Sequence, residues 1–285
     1  EIYTLSLHDA LPISIVGERA VSATGADERG TGAGPLVSVI VPSYNSQAHV
    51  VEALESVLSQ TVADLEVLSV DDASRDRTRA LVEELAQRDR RVRTFAQASN
   101  RGVALARNRG LAHARGRYIA YLDSDDLWMP NKLERQIAFM AEAGAGACFT
   151  SYETIEENGD HRNFVRVPAA IDYKGFLKNT VTCSHTLLFD TQIVERGLLE
   201  MPDIRRGQDA ATWLGIMKAG HTLYGLDECL AKYRKTAGSL SSSKTKAIRR
   251  TWHLYRDVEG LSRPYSAYCL FWQLVHAVQK RRRDA

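Results

Sequence analysis

Two apolar segments of this chain end in clusters of carboxylates, and the first cluster has the spacing of a metal site. The run Tyr118–Leu122 is followed by Asp123, Asp125 and Asp126. Side chains at i and i+2 of an extended segment share a face, so Asp123 and Asp125 are expected to point toward one divalent cation. Such a cation takes oxygen ligands and keeps positions for substrate phosphates. The alternative is an acidic turn that caps a helix opened by Pro130.

The second cluster, Asp71 and Asp72, follows the apolar run Glu66–Val70. In an open α/β sheet the carboxyl ends of parallel strands form the ligand crevice, so both clusters are expected to face one cleft. Acidic clusters at equivalent strand ends favour a shared binding site over unrelated surface positions.

The first half of the chain alternates between short apolar runs and amphipathic segments, which predicts a mainly parallel sheet covered on both faces. The predicted strands are Val37–Val41, Glu66–Val70, Val92–Phe95 and Tyr118–Leu122, and a helix is predicted after each, the last one opening at Pro130 and ending at Gly144. The second half is less regular. It predicts a turn at Asn158–Gly159, strands near His185–Phe189 and Thr222–Leu226, a helix over Gln208–Ala219 and two C-terminal helices.

Composition places the chain among ordinary globular proteins. It has 285 residues, 44% of them hydrophobic and 25% charged, with a formal net charge of +2. This balance does not indicate nucleic acid as a partner. The cysteines are widely spaced without a Cys-x-x-Cys pair, which disfavours zinc and disulfides, so a reducing cytoplasm is the expected location. Residues 1–34 are predicted to be a disordered leader, and Glu1–Ser14 resembles a translated adapter instead of a native segment.

Motifs of one enzyme family follow one another along the chain. They are Val39–Asn45, Val70–Asp76, Asn100–Gly102, Ala106–Asn108, Asp123–Asp125, Tyr233–Arg234 and Ser239–Ser241. In these motifs the chain resembles family 2 glycosyltransferases of the GT-A fold. The segments Ile171–Asn179 and Arg206–Trp213 resemble the bacterial enzymes of teichuronic acid and exopolysaccharide assembly.

The resemblance implies an α/β fold. A Rossmann-like nucleotide-sugar-binding half with a mainly parallel central sheet is expected over residues 35–150, a mixed acceptor-binding half over 151–243, and C-terminal helices over 244–285. It also implies an inverting, metal-dependent transfer from a nucleotide sugar to a hydroxyl of a saccharide or lipid-linked acceptor. The expected donor is a UDP-sugar, with guanine left open as the base. The chain lacks the Gln-x-x-Arg-Trp motif of processive synthases, so transfer of one sugar per encounter is expected.

The family's nucleotide pocket can be placed on this sequence through its motifs. The resemblance implies that Pro42, Tyr44 and Asn45 line the pocket, with a tyrosine at the edge of the core as the alternative for Tyr44. It implies that Asp72 accepts a hydrogen bond from a pyrimidine imide. Asp71 is instead a candidate cap of the following helix. A charged acceptor makes such a hydrogen bond stronger than a neutral one.

The same resemblance assigns the phosphate and metal positions. Arg101 and Arg107 are expected near the nucleotide, because a guanidinium suits phosphate recognition, with a solvated helix arginine as the alternative. Asp123 is expected near the ribose and Asp125 as the direct ligand of Mn²⁺ or Mg²⁺. Together Asp123 and Asp125 form the Asp-x-Asp metal motif of these enzymes.

Asp209 is the candidate catalytic base, since the resemblance places the family's catalytic carboxylate at this helix start. An acceptor hydroxyl is not ionised at neutral pH, so an inverting displacement needs a base. The alternative is an aspartate that only stabilises the helix N-terminus. His185 could approach the acceptor, but a lone histidine before an apolar strand is more often structural.

The C-terminal segment Tyr265–Arg283 combines aromatic and aliphatic side chains with the basic cluster Lys280–Arg283. Such a helix can lie in the headgroup layer at the inner face of the plasma membrane. The alternative is a helix that packs its apolar face on the domain.

Two other functions remain open for the whole chain: a haloacid dehalogenase-type phosphohydrolase, disfavoured by the Asp-x-Asp on the fourth strand, and a catalytically inactive nucleotide-sugar-binding module.

Overall fold

A computed structural model describes residues 34–180, 182–204, 206–235 and 244–283 of the chain, without the side chains of 244–246 and 278–283. The predicted leader, Ser239–Ser241 and the cations of Lys280–Arg283 therefore lie outside what the structure describes, apart from Gly34 and the backbone of the cations.

The described residues form strands and helices in an order that begins as a regular alternation. The strands are β1 Val37–Ser43, β2 Leu65–Asp71, β3 Val92–Ala96, β4 Tyr118–Tyr121, β5 Leu127–Trp128, β6 Ala147–Glu156, β7 His161–Val165, β8 Ala170–Ile171, β9 Leu188–Asp190 and β10 Leu223–Lys235. The helices are α1 Val50–Leu58, α2 Thr78–Arg88, α3 Val103–His113, α4 Lys132–Ala143, α5 Tyr173–Lys178, α6 Gln208–Lys218, α7 Lys244–His253 and α8 Arg263–Arg283.

The strands of the described residues pair in one sheet of order β3-β2-β1-β4-β9-β6-β10-β5, with β7 on β6 and β8 on β10. Strands β1 to β4 are parallel to their neighbours within this group, and β10 is parallel to β6. The short β9 is antiparallel to β4 on one side and to β6 on the other. The predicted mainly parallel sheet is confirmed, and it runs continuously from the first half of the chain into the second.

Strand β1 extends past the predicted end at Val41, through Pro42 to Ser43. Its neighbour β4 pairs with it only as far as Ile40, while β2 continues alongside to the end of β1. The sheet tolerates proline here because no β4 partner needs its missing N–H. Helix α4 begins at Lys132, two residues after Pro130, and ends at Gly144 as predicted.

The second half departs further from its predicted bounds. The backbone forms a 3₁₀ turn over Ser184–Thr186, so the strand predicted near His185 begins only at Leu188. Strand β10 continues far beyond the predicted end at Leu226, because a bulge at 226–231 breaks its pairing with β6 and then lets it resume. The bulge places Asp227 and Glu228 in the middle of the strand. These two charged residues interrupt the alternation of apolar and polar residues by which a strand is recognised in a sequence.

The core lies on both faces of the sheet, as expected for parallel strands with near-continuous apolar sequence. Ile40 and Tyr121 pack toward α3 and α6, whereas their neighbours Val39 and Leu122 belong to the opposite face, covered by α1 and α4. Because β1 pairs in parallel with β2 and with β4 in this buried sheet, the carboxyl ends of the three strands lie at one edge. Among the described helices, none has both the length and the apolar character needed to cross a membrane.

Candidate active site

The acidic turn after β4 is held from behind by Arg234 of β10. The backbone N–H of Arg234 donates to Oδ1 of Asp126 at 2.8 Å, and its Nε donates to the carbonyl of Asp125 at 3.0 Å. Its remaining nitrogens donate to Glu52 and to the carbonyl of Glu157. The guanidinium is buried, so these contacts fix the turn instead of facing a substrate.

Asp126 points away from the cleft into a buried aromatic cluster. Nδ1 of His185 lies 2.8 Å from Oδ2 of Asp126, and both side chains are almost fully buried. The His185 ring stacks on Tyr233 at 5.6 Å and meets Tyr152 edge-on. Burial raises the pKa of Asp126, and His185 opposes that rise. The structural interpretation of His185 therefore agrees with its position.

Arg107 brings together two of the predicted site carboxylates. It lies on α3 with its guanidinium buried beside Tyr121, and its Nη2 donates to Oδ1 of Asp123 at 2.5 Å. Burial lowers the pKa of Arg107, but Asp123 and then Asp209 outweigh that effect and raise it. The buried cation is paired directly with Asp123 and attracted by the charge of Asp209, which compensates part of the cost of its burial, although its Nε has no hydrogen-bond partner among the described residues. Asp123 and Asp209 therefore border one site across Arg107.

Asp125 is a carboxyl group of the acidic turn whose pKa is raised by its surroundings. Burial, followed by the charges of Asp126 and Asp123, raises the pKa of Asp125 to about 7. A divalent cation would offset this repulsion, and oxygen donors are its preferred ligands, so Asp125 and Asp123 fit such an ion. Within the described residues no cluster of three or more such ligands is formed. A site of this kind needs substrate oxygens to complete its coordination.

The end of β1 contributes the loop that faces the acidic turn. Oγ of Ser46 lies 2.7 Å from Oγ of Ser124, which joins the two loops across the cleft. Asn45 has a positive φ of 49° and its Oδ1 accepts from the N–H of Arg75 at 2.8 Å. Tyr44 is exposed and Pro42 is buried within β1. Tyr44 and Asn45 are both exposed at this loop, and their contact with a nucleotide remains a prediction.

Asp72 is already engaged with the loop that precedes α3. Its carboxylate accepts from the backbone N–H groups of Arg101 and Gly102 and from Nε2 of Gln97, each at 2.8 Å. Gly102 has a φ of 92°, a conformation that glycine adopts without strain. Asp71 accepts from the N–H of Ser74 in the turn before α2. The contact of Asp72 with a base remains a prediction, since here the side chain is buried and shapes the loop.

The loop before α3 borders a cavity of about 390 Å³ together with the start of α6. Arg101 is exposed and lines this cavity with Asp203 and Gln208. One position along α3 from Arg107, Asn108 exchanges a pair of hydrogen bonds with the backbone of Met201, both at 2.8 Å. Helix α3 thereby ties the chain before α6 to the nucleotide side of the cleft.

Asp209 lies in the first turn of α6, after Gly207 in the left-handed conformation. Its Oδ1 accepts from the N–H of Ala210 at 2.8 Å, and its side chain lines a separate groove together with Tyr233. The residue is therefore both a helix N-terminal aspartate and a lining residue of a substrate-sized groove. The two interpretations of Asp209 given by the sequence are compatible in this geometry.

The structure brings Asp123, Asp125, Arg107 and Asp209 to one cleft edge and turns Asp72 toward the loop before α3. Residue types and spacing alone assign no role to Arg234 or to the contact between Asp126 and His185. For Arg234 a signal existed, because Tyr233–Arg234 is one of the motifs in the chain. For Asp126 and His185 no spacing rule connects the two positions.

The strand order and the acidic turn at the end of β4 are those of the GT-A fold. Solved structures with this fold support the assignment. Staphylococcus aureus TarS 1–349 in complex with UDP-GlcNAc superposes with a TM-score of 0.63 at 21% identity, covering 82% of this chain and 70% of the TarS 1–349 chain. The mannosyltransferase PcManGT of Pyrobaculum calidifontis, in complex with GDP-Man and Mn²⁺, gives 0.63 at 22% identity, covering 84% and 69%.

The chain belongs to glycosyl transferase family 2, whose profile matches residues 38–197. TuaG of Bacillus subtilis (strain 168), provisionally assigned as a teichuronic acid biosynthesis glycosyltransferase, is 41% identical over 248 residues, which are 87% of this chain and 98% of TuaG. WfgD of Escherichia coli, named a UDP-Glc:alpha-D-GlcNAc-diphosphoundecaprenol beta-1,3-glucosyltransferase, is 36% identical over 223 residues, 78% of this chain and 86% of WfgD.

The Arg107 contacts make a stability prediction. Replacing Arg107 with Met removes the cation between Asp123 and Asp209 while keeping most of the side-chain volume. We expect the free energy of unfolding to fall by about 2 kcal/mol, less than for a fully buried pair. The discount applies because 35% of the Asp123 side chain is exposed. Urea unfolding at pH 7 measures the change.

Arg109→Met is the matched control, because Arg109 is on the same helix but exposed, donating only to the carbonyl of Ala96. We expect it to change stability by less than about 0.5 kcal/mol. Adding Asp123→Asn to Arg107→Met should recover part of the loss, since it removes a carboxylate left without its partner. Equal effects of the Arg107 and Arg109 variants would contradict the role given to Arg107.

Proposed function

We propose that this enzyme transfers one sugar at a time from a nucleotide-sugar donor, expected to be a UDP-sugar, to a hydroxyl of a saccharide or lipid-linked acceptor. The transfer inverts the anomeric centre and serves bacterial cell-surface polysaccharide synthesis. The observation that carries the proposal is the pair Asp123 and Asp125 in the acidic turn at the carboxyl edge of a parallel sheet, with buried Arg107 bound to Asp123 and close enough to Asp209 to be influenced by its charge. The names of TuaG and WfgD support the pathway and the kind of acceptor.

The donor is assigned to the crevice between the ends of β1 and β4. This is where the strand order reverses direction, which is the usual ligand position in open α/β sheets. Tyr44 offers an exposed aromatic face for the base, and Asp123, whose side chain is partly exposed, is the proposed acceptor for a ribose hydroxyl. Arg107 orients Asp123, and Arg101 is exposed near the same loop for a phosphate. Cytoplasmic nucleotide sugars would meet the enzyme on this side.

Asp125, assisted by Asp123, is the proposed holder of Mn²⁺ or Mg²⁺. The ion would stabilise the negative charge that develops on the departing nucleoside diphosphate. Arg234 and Ser124 keep the turn in one conformation, so the carboxylates are positioned before the donor binds. Such preorganisation avoids reorganising the site during the reaction.

Asp209 is the proposed base that takes the proton from the acceptor hydroxyl. It is separated from Asp123 by Arg107 and opens onto the groove on the acceptor side. An inverting displacement needs this placement, with the base on the opposite side of the sugar from the diphosphate. Family membership argues against the phosphohydrolase, whose Asp-x-Asp belongs on a first strand. The inactive binding module predicts nucleotide binding without turnover, so a transfer assay separates it.

The donor and metal assignment predicts a cooperative thermal shift. UDP and Mn²⁺ together, each about 100-fold above its dissociation constant, should stabilise the protein by about 2.7 kcal/mol and raise the melting midpoint by roughly 5 °C or more. Asp125→Asn should remove the part that depends on Mn²⁺. Asp64→Asn, at an exposed position away from the cleft, should respond like the wild type. Comparing the thermal shift with GDP to that with UDP tests which base the site prefers. Absence of a shift with either nucleotide would reject the donor site.

The base assignment predicts a loss of turnover without a loss of donor binding. Asp209→Asn should lower kcat by about 10² to 10⁴, the usual contribution of a positioned general base. The UDP and Mn²⁺ shift, measured against the ligand-free variant, should be retained, because Arg107 keeps its direct contact with Asp123. Measuring UDP release in the presence of acceptor gives the rate. A loss of less than about tenfold in a folded variant would remove Asp209 from the mechanism.

Helix α8 is the proposed site of peripheral membrane contact. Cys269 on this helix is fully buried, whereas Tyr268 and Phe271 are exposed, so the helix packs on the domain and also presents an apolar surface. The face with Cys269 packs on the domain, and the face with Tyr268 and Phe271 is the one proposed to meet the membrane. Apolar side chains at the headgroup layer, next to cations, are typical of interfacial helices.

Flotation with phosphatidylglycerol vesicles tests the contact on the full chain. The double variant Tyr268→Ser/Phe271→Ser should lower the bound fraction at least about tenfold, because two large side chains lose their burial in lipid. Phe164→Ser is the matched control, since Phe164 is 57% exposed and Phe271 is 59% exposed. Equal flotation of the double variant and the wild type would exclude this surface of α8.

A further inference from the structure

A groove of about 450 Å³ opens beside Asp209, between α5, α6 and the C-terminal helices α7 and α8. Most of its walls are hydrocarbon, contributed by Phe176, Leu177, Leu214, Ile248, Leu270 and Leu274. A groove lined in this way gains free energy from apolar contact and offers few hydrogen bonds to a sugar ring. Its lining chemistry differs from that of the donor crevice, where carboxylates dominate.

Several polar side chains in the lining already use their hydrogen bonds within the protein. Nε2 of Gln273 donates to Oγ1 of Thr180 at 2.7 Å, the hydroxyl of Tyr255 donates to the carbonyl of Leu177, and Oγ1 of Thr251 donates to the carbonyl of Ala247 at 3.1 Å. The Gln273 and Tyr255 bonds tie α8 and the segment after α7 to α5, whereas the Thr251 bond lies within α7. The hydrogen-bonding capacity of these groups is therefore partly used within the protein.

Polar groups suited to a ligand are nevertheless part of the lining. Asp209 supplies a carboxylate and Arg250 a guanidinium. Oγ1 of Thr182 is buried and has no hydrogen-bond partner among the described residues. A hydroxyl, a cation and a candidate base suit the head of an amphiphile: a sugar hydroxyl at Asp209 and a phosphate at Arg250. A purely saccharide acceptor would leave the apolar walls unused.

The groove is continuous with the exposed apolar surface of α8. Leu274 lines the groove, and Phe271 lies three residues earlier, so both are on one side of the helix. A hydrocarbon chain leaving the groove at Leu274 would remain against apolar side chains. The groove therefore connects the candidate base with the surface assigned to membrane contact.

We propose that this groove binds the hydrocarbon chain next to the head of a lipid phosphate or diphosphate acceptor, with its phosphate at Arg250 and its sugar hydroxyl at Asp209. The proposal rests on the proposed transferase function for the role of Asp209, and it selects the lipid-linked form of the acceptor. Leu274 and Arg250 then determine which acceptors bind, through chain length and phosphate charge respectively.

Binding of alkyl phosphates tests the groove without any transfer reaction. Isothermal titration calorimetry with dodecyl phosphate below its micelle threshold, and with butyl phosphate, compares two probes that share a head. The wild type should bind dodecyl phosphate at least about tenfold more tightly, because the longer chain buries more methylene groups. Its binding heat capacity change should be negative, as expected for apolar burial.

Substitutions of groove residues test whether the alkyl phosphates bind in this groove. Leu274→Gln should weaken dodecyl phosphate by about tenfold and leave butyl phosphate within about twofold, because only the long chain reaches that wall. Arg250→Gln should weaken both probes, since they share the phosphate. Ile193→Gln is the matched control: Ile193 is 46% exposed, Leu274 is 44% exposed, and Ile193 is not part of the groove lining. Melting midpoints verify that each variant is folded.

The outcomes separate this proposal from the proposed function. Equal affinity of the wild type for the two probes would overturn the groove assignment, as would an equal loss in the Leu274 and Ile193 variants. In that case, transfer of a sugar to short-chain acceptors would still establish the proposed transferase activity. Chain-length-dependent binding that Leu274→Gln weakens would uphold the groove. Absence of transfer with every UDP- and GDP-sugar and lipid acceptor would then refute only the transferase function.

Discussion

The site depends on one buried cation shared by acidic side chains from distant parts of the chain. Arg107 is nearly inaccessible to water, so its guanidinium is tolerated only because Asp123 and Asp209 compensate it. The compensation works in both directions, since each carboxylate would repel the other without the arginine. In this way Arg107 of α3 holds Asp123 directly and couples it electrostatically to Asp209.

The acidic turn after β4 is supported in a similar manner from the second half of the chain. Arg234 of β10 binds the turn through its backbone and its guanidinium, and the stacked pair Tyr233 and His185 encloses Asp126. The donor side of the cleft therefore acquires its final geometry only when β10 has joined the sheet. Its position in the chain explains why the motif Tyr233–Arg234 belongs to the site without having to touch a substrate.

Periodicity alone predicts most of the first half of the fold. Val39, Leu68 and Ile119 belong to runs that are apolar on both faces, and the helices between them carry regular buried stripes, so strands and helices are distinguishable. The acidic turn was also predictable, because its residues are adjacent in sequence. The second half was harder, since β10 contains a bulge and β9 is only a few residues long.

The site was predictable residue by residue only in part. Residue types and motif order single out Asp125 and Asp209 as candidates. They do not indicate that the carboxylate of Asp72 accepts hydrogen bonds from the loop before α3. That contact depends on where the loop lies after folding, as does the position of Arg107 between two carboxylates. The groove beside Asp209 is a property of how α5 to α8 pack, which no local pattern encodes.

The position of β9 has a consequence for how the chain is assembled as it leaves the ribosome. Strands β1 to β4 can pair as soon as they are synthesised, but β6 is separated from β4 by a strand that comes later in the sequence. Residues 188–190 must emerge before the two parallel blocks can be joined. Non-local pairing of this kind is slow, so the nascent chain exposes the unpaired edges of β4 and β6 during synthesis.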